Sequence, residues 1–593
     1  MEDRSASMLE LKALRVPQGH YDVAVLGGGL AGLSIAIQLK RMRPDTRVLV
    51  TDKRTEPAPE AAFKVGESSV EIGAHYYREV VGMRDHLEQL QLRKLGLRFF
   101  VPAGGDKTDI TRRVEFCTPA HLSAYTHQID RGRFENELFR RSLKHGADAF
   151  RGWRVQDVEL GSEAHTIKLT QDDEETTVTA RWIVDASGRA NIMRRKLDIG
   201  TDTGHHINAA WIRLAGGMNY EDWAGDNDEW LDRMPERGLR QYATTHLIDQ
   251  GYWLWLIPLA SGPISIGVCA DPRYHPWEEI ESFDGFMNWL RENEPQLFAA
   301  IDGRRDDVLD FLRVKDFSYA SERIFSKDRW ALVGEAAGFI DALYSPGSDF
   351  IAYTNTFSCE LITHDLDGGE AELEDRVEFY NDFFFSLFNT TVLLYRDNYQ
   401  FFGNPQVWVA KVTYDSLNYF TILGSPFVHG KMAKREDIER FTEIADIILP
   451  LIPRMQQLFK DWHALDQTPF EGVSVLPKQF EPYIWAQEEM AEPGDIDELI
   501  ERARQKTETI KALAVYIFHM AAKHLPDGAP DESTPINPYA ISLQPDRWEE
   551  DGLYSGDGIS LVQALERLKG VEEIDLEARG ARVAEMVPSS KAP

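Results

Sequence analysis

The chain has 593 residues, 43% of them hydrophobic and 27% charged, a composition that fits a soluble globular protein long enough for several domains. Its net charge is −32, with Asp and Glu spread along the chain, so it lacks the basic footprint that a nucleic-acid partner needs. Three cysteines far apart in sequence, Cys117, Cys269 and Cys359, make neither a disulfide framework nor a zinc pattern, and no metal is expected.

The N-terminal stretch "MEDRSASMLELKALRVPQGH" has no apolar signal core. The longest apolar run, Ala512 to Ala522, falls short of the about 20 residues a membrane helix needs. A cytoplasmic protein without a membrane span is the expectation. The first predicted element is a buried strand, "YDVAVL", Tyr21 to Leu26. A glycine loop follows, then the helix "LAGLSIAIQLKRM" and a second apolar strand, "RVLVTD", that ends at Asp52. Within "GGGLAG", Gly27 permits the tight turn, Gly29 lets backbone approach a pyrophosphate, and Gly32 lets the helix pack close to the sheet. The helix opens at Leu30 and Ala31, where unpaired N–H groups and the helix dipole favour phosphate. Asp52 is placed for a ribose hydroxyl, so this β-α-β unit reads as a dinucleotide site.

Further along, "IVDASGR" is a buried strand that breaks at Asp185 and Gly188. Alternating strand patterns follow, among them "GYWLWLIPL", where Trp253, Trp255 and Ile257 share one face and Leu254 and Leu256 the other. A buried strand, "WALVG", precedes Gly334 and Glu335. After about residue 366 the pattern turns helical, and Phe384, Phe388, Tyr395, Tyr399 and Phe402 form a stripe at helical spacing that reads as core.

The three segments "GGGLAG", "IVDASGR" and "ALVGEAAGFIDALYSPGSDF", in this order, resemble the FAD monooxygenase fold of p-hydroxybenzoate hydroxylase and its relatives. "QIDRGRFENEL" resembles that family's arginine-bearing helix start and implies an FAD contact at Arg131. The family has Gly-Asp where this chain has Gly334-Glu335, so the carboxylate expected on the ribityl chain stands on a longer arm. Asp185 is implied as a cofactor contact of the middle segment. The fold class implied is α/β: an FAD-binding Rossmann-like domain with an inserted antiparallel sheet on the substrate side and a C-terminal helical region. The expected boundaries are 18–200 and 326–365 for the FAD domain, 201–325 for the inserted sheet and 366–593 for the helical region.

Four matches select a branch of that fold. "WLWLIP" resembles the W-x-W-x-I-P motif of flavin-dependent halogenases, "KLGLRFF" the segment bearing their substrate-side lysine, and "KVGESS" the strap between FAD and active site. "FIDALYSPGSDF" resembles the loop against the isoalloxazine. The resemblance implies that Lys94 holds the oxidant, that Ser345, Pro346 and Gly347 bind halide, and that Gly347 and Ser348 also contact FAD. Trp253, Trp255, Ile257 and Pro258, with Tyr344, would form a dry wall between flavin and substrate. In that family, reduced FAD and oxygen turn chloride or bromide into hypohalous acid, which travels through a protein tunnel to the lysine. Burial would lower the pKa of such a lysine.

The tryptophan-specific members carry a glutamate at the position of Tyr344, whereas phenol and pyrrole halogenases have an aromatic residue there. The expected substrate is therefore a phenol or pyrrole, free or tethered to a carrier protein. His205 and His206 stand as candidate bases, although a surface pair is the plainer reading. No nicotinamide motif is evident, so a separate flavin reductase is the expected partner. The alternative is an aromatic hydroxylase on the same scaffold; a third reading is a non-catalytic flavoprotein.

Overall fold

The computed structural model describes residues 16–61, 64–117, 125–466, 470 and 482–569. Its first sheet has the strand order Phe325–Ser326, Trp330–Leu332, Glu174–Asp185, Gly19–Leu26, Val48–Asp52, Asp148–Arg151. The five from Trp330–Leu332 to Asp148–Arg151 run parallel. Such strands are covered on both faces, which is why "YDVAVL" and "RVLVTD" read as nearly continuous apolar runs. The helix Leu30–Met42 crosses from the first strand to the second and is buried from Leu30 to Lys40. It lies so close to the turn before it that a Cβ on Gly32 would sit 1.9 Å from the Gly27 carbonyl oxygen; only glycine fits.

The second sheet has seven strands, ordered Val308–Val314, Asn208–Leu214, Ile264–Ala270, Tyr252–Pro258, Thr244–Asp249, Leu97–Val101, Val114–Cys117. It corrects the expected boundary at residue 200, because its last two strands come from within 18–200. It is also not wholly antiparallel: Thr244–Asp249 pairs parallel with Leu97–Val101. That pairing places the lysine segment "KLGLRFF" one strand away from the tryptophan strand, with Thr244–Asp249 between them.

In Tyr252–Pro258 the side chains alternate as the period of two requires. Trp253, Trp255 and Ile257 enter the core shared with the FAD sheet, while Tyr252, Leu254 and Leu256 enter a separate core under the helices Phe283–Asn293 and Pro295–Asp302. Gly267, opposite Trp255, makes room for the indole: a Cβ there would meet its ring at 2.2 Å.

Long helices, Leu373–Leu393, Pro405–Asn418, Leu451–Leu465 and Ile496–Ala522, build the C-terminal region. Ile496–Ala522 starts on an Asp495/Glu498 capping box, and its apolar end, Ala512–Ala522, is core. Among the described residues, no helix is long and apolar enough to cross a membrane. The aromatic stripe is core, and Phe384 and Phe388 pack on Phe350. Its other end, Tyr395, Tyr399 and Phe402, is buried in the same core, and there the Tyr399 hydroxyl accepts from Trp253 Nε1 at 2.8 Å and donates to Asp341 at 2.7 Å.

Candidate active site

The nucleotide end assembles as expected around the glycine turn. Gly27 has φ 123° and its N–H bonds Thr51 O, while Gly29 caps the helix with no side chain over the first N–H groups, those of Leu30, Ala31 and Gly32. Uncapped amides at a helix start fit a pyrophosphate. Asp52 lies against Gly28, whose Cβ would fall 2.8 Å from the Asp52 Cβ. Two cations missed in the sequence, Arg54 and Lys64, gather here with the expected Arg131, and all three bind the buried Glu135. They hold its carboxyl down at about 2 against the burial that would raise it. The Arg54 guanidinium also bonds Asp52 and the Gly28 carbonyl, and Arg131 reaches the Val65 carbonyl of the strap. Among the described residues, buried Arg131 Nε has no partner. This excess of donors suits the phosphates of FAD. The sequence cue to Glu135 was its i,i+4 spacing from Arg131.

Asp185 is a correction. Its carboxylate is fully buried and accepts from the N–H groups of Ser187 and Met193, so it shapes its own loop and does not face the cofactor cleft. Gly334, with φ 57°, turns Glu335 toward the cleft, 3.6 Å from Arg189.

Two cavities lie beyond. The smaller, of about 120 Å³, is lined by Gly66, Ser68, Arg131, Glu335, Ser345, Gly347 and Ser348 together with Trp253, Trp255 and Ile257. The larger, of about 390 Å³, is lined by Lys94, Glu71, Asp349, Phe99 and Tyr344 and by many side chains of the C-terminal helices. The tryptophan pair therefore faces the small cavity and does not itself stand between the two, contrary to the expected wall. Pro258 ends the strand opposite Ile264 and lines neither cavity.

The divide is built from other parts. Phe99, on the large cavity, stacks at 4.6 Å on His246, which lines the small one and packs in turn on Trp253. Burial lowers the His246 pKa to about 3, so the ring is neutral near pH 7. The loop before the helix Gly347–Leu366 completes the partition. Tyr344 and Ser345 both take left-handed conformations, φ 67° and 59°, which cost non-glycine residues strain. Tyr344 and Pro346 thereby line the large cavity, while Ser345, Gly347 and Ser348 line the small one. This geometry corrects the halide assignment: the Ser345 N–H is taken by the Ala342 carbonyl, and Pro346 has no N–H. Of the three residues, Gly347 alone offers an amide there, joined by Ser348 at the helix start.

Lys94 is only 3% exposed. Its ammonium donates to Ser68 Oγ at 2.9 Å and to the Ser69 carbonyl at 2.8 Å. Burial pulls its pKa down to about 8 against the opposing pull of Glu71 and Asp349. Ser68 lines the small cavity and also bonds Thr244 Oγ1, so one hydroxyl links the two sides. The histidine candidates lie elsewhere. Buried His205 bonds Asp341 at 2.8 Å, exposed His206 bonds Asp316, and neither lines a cavity.

Residues 20–263 match the FAD binding domain family. Over 436 residues the chain is 29% identical to the flavin-dependent halogenase chlA of Dictyostelium discoideum, covering 68% of this chain and 70% of that one. It is 26% identical over 361 residues to the 1H-pyrrole-2-carbonyl peptidyl-carrier-protein brominase of Pseudoalteromonas luteoviolacea, covering 59% of this chain and 79% of that one. The solved structure of halogenase PltM in complex with phloroglucinol and FAD shares the fold, with a TM-score of 0.59 at 18% identity over 83% of this chain and 96% of that one. With the glycine turn, the strap, the buried lysine and the two-cavity plan in place, the chain is a flavoprotein oxidoreductase similar in sequence to the flavin-dependent halogenases.

Proposed function

We propose that this chain halogenates an electron-rich aromatic, a phenol or pyrrole, free or carrier-tethered. It would use oxygen, chloride or bromide, and reduced FAD from a separate flavin reductase. The observation that carries the reading is the stretch Tyr344 to Ser348, which sends Ser345, Gly347 and Ser348 to a flavin-side cavity and Tyr344 and Pro346 to a lysine-side cavity. Bound FAD supplies, with oxygen, the oxidising power that converts halide to hypohalous acid. The residues of the chain do the rest. The Gly347 and Ser348 amides hold halide, the Phe99–His246 stack keeps substrate off the flavin side, and Ser68 leads to Lys94. Lys94 then holds hypohalous acid by hydrogen bond beside the substrate, which turns a diffusible reagent into a positioned one. Three buried free thiols suit a reducing compartment, and we place the chemistry in the cytoplasm.

The test is turnover with a flavin reductase and a panel of phenols, pyrroles and carrier-tethered pyrroles, first in chloride and then in bromide, read by mass spectrometry. Halogenated product is expected; a hydroxylated product formed equally without halide would move the assignment to the monooxygenase. Free tryptophan is expected to be a poor substrate, because Tyr344 stands where a glutamate would assist that ring. Tryptophan halogenation as fast as that of every phenol in the panel would contradict this.

Gly29→Val tests the cofactor site. Gly29 has φ −90°, and a Cβ there meets only Lys64 Nζ at 3.9 Å, so the variant folds but aims its side chain into the cleft. FAD affinity should fall by about tenfold or more, or ~1.4 kcal/mol. A flavin titration matching the wild type would remove the basis for this site.

A further inference from the structure

We infer that Glu71 is the proton acceptor for the substrate in the large cavity, and that Asp349, Tyr419 and Gln487 are the residues that position it. The inference rests on the halogenase reading above and adds the base which that reading lacks.

An electron-rich ring attacks faster as its O–H or N–H proton leaves, so a site without a base loses much of the rate. Tyr344 cannot serve: burial and its neighbour Asp415 push its hydroxyl well above the ordinary tyrosine range. His246 faces the flavin side. Among the other carboxylates that line the large cavity, Asp415 is committed to Lys411 in a buried ion pair, and Asp446 is exposed at the rim. Asp349 has both oxygens occupied, accepting the Gly73 N–H and the Tyr419 hydroxyl, each at 2.8 Å.

Glu71 differs from all of these. It is half-buried by surface yet surrounded by protein, so its open surface is cavity surface. It begins the short helix Glu71–His75, directly after the strap. The next two amides of that helix are tied down, Ile72 N–H to the Tyr419 hydroxyl at 3.2 Å and Gly73 N–H to Asp349. Gly73 packs so tightly on the helix Gly347–Leu366 that a Cβ there would meet Ser348 at 2.4 Å. From the C-terminal region, the Gln487 amide donates to Glu71 Oε1. Three separate segments thus fix one carboxylate that no structural ion pair consumes.

The groups facing Glu71 are Lys94, Asp349, Tyr419 and Gln487. Burial raises the Glu71 carboxyl, and Lys94 opposes that rise. Burial also raises Asp349, to about 7, with Glu71 adding to the rise. The two carboxyls therefore resist ionising together; with both Asp349 oxygens occupied by Gly73 and Tyr419, the carboxylate left open to the substrate beside Lys94 is Glu71.

For a phenol the step balances as follows. The Glu71 carboxylate takes the O–H proton while a ring carbon bonds the halogen. The O–X bond of hypohalous acid breaks, and the leaving hydroxide takes a proton from the Lys94 ammonium to give water. The ring C–H proton then passes to the Lys94 amine, and Glu71 returns its proton to the phenol oxygen.

Glu71→Gln keeps the length and polarity of the side chain. Halogenated phloroglucinol should fall by about a hundredfold at neutral pH, the size of a lost general base. It should recover as rising pH ionises the phenol, while oxidant captured by a thioether trap stays at or above the wild-type level. Glu71→Asp should regain part of the rate. A readout without turnover is equilibrium binding of phloroglucinol against 1,3,5-trimethoxybenzene, which has no O–H to donate. The wild-type preference for the phenol should drop by about fivefold or more in Glu71→Gln as a charge-assisted bond becomes a neutral one. Wild-type product yield and an unchanged binding preference in that variant would each overturn the assignment of Glu71. Failure of the wild type to halogenate any substrate would instead overturn the function proposed above, and the binding comparison would still decide on Glu71.

Discussion

Lys94→Met is expected to separate oxidant formation from product formation. Methionine keeps most of the length and apolar bulk of lysine and loses the ammonium, and the site is buried enough to accept it. The variant should bind FAD as the wild type does, because Lys94 lines the large cavity and touches the flavin side only through Ser68. Oxygen consumption with reduced flavin and halide-dependent oxidant should both persist. Halogenated product should fall by at least about a hundredfold, because positioning is lost while generation of the reagent is not. The oxidant would leak, and a soluble thioether should trap more of it than in the wild type. Full product yield would sink the role of Lys94, and a loss of oxidant together with product would mean that Lys94 serves the flavin side. The two carboxylate-side groups sharpen the test. In the wild type, Glu71 and Asp349 keep Lys94 partly charged near neutrality against its burial. The Glu71→Gln variant should therefore lower the Lys94 pKa further, an effect a pH profile can separate from the hundredfold loss in Lys94→Met.

What could be read from the sequence was whatever a local pattern forces. The strand, glycine turn and helix around Gly27 to Gly32 fix their own geometry, and the alternation in "GYWLWLIPL" fixed which side chains share a face. Lys94 is buried beside the strap, bonded to Ser68 and Ser69. The rest depends on partners far apart in the chain. The indoles were assigned to a partition, but which cavity a strand face borders is decided by the sheet packed against it, and here the Phe99–His246 pair lies between. Ser345 and Pro346 looked equivalent to Gly347 as halide donors until the left-handed turn at Tyr344 and Ser345 spent one amide on Ala342. Asp185 matched a motif, yet its side chain folds back on its own loop. Glu71 gave no signal at all, because its partner Gln487 lies 416 residues away.

The same long-range logic makes Arg213→Met the sharpest stability test. The strap residue Glu67 is 2% exposed and is held by the fully buried Arg213, 146 residues away, through Nε at 2.9 Å and Nη2 at 2.8 Å. Arg213 also binds Asp310 at 2.9 Å and the Lys64 carbonyl, so one guanidinium ties the strap to the second sheet. Removing it leaves a buried carboxylate without its cation, a loss of about 3–5 kcal/mol. Burial already raises the Glu67 carboxyl, with Arg213 as the chief opposing influence, so in the variant Glu67 must stay protonated to remain inside. A carboxyl whose folded pKa exceeds its unfolded value of about 4.3 stabilises the fold at low pH and loses that contribution as pH rises through the folded pKa. Denaturant melts of Arg213→Met should therefore show a fold more stable at pH 5 than at pH 8, by a wider margin than in the wild type, where Arg213 opposes the rise. Removing the acid as well, in Arg213→Met/Glu67→Leu, should recover much of the loss, since two apolar groups can replace a buried pair at little cost. Flavin affinity should fall in the single variant too, because Val65, Gly66 and Ser68 line the small cavity and lose their anchor. A single variant as stable as the wild type at pH 8 would show that the ion pair does not hold the strap, and the Lys94–Ser68 contact would then be the anchor that does.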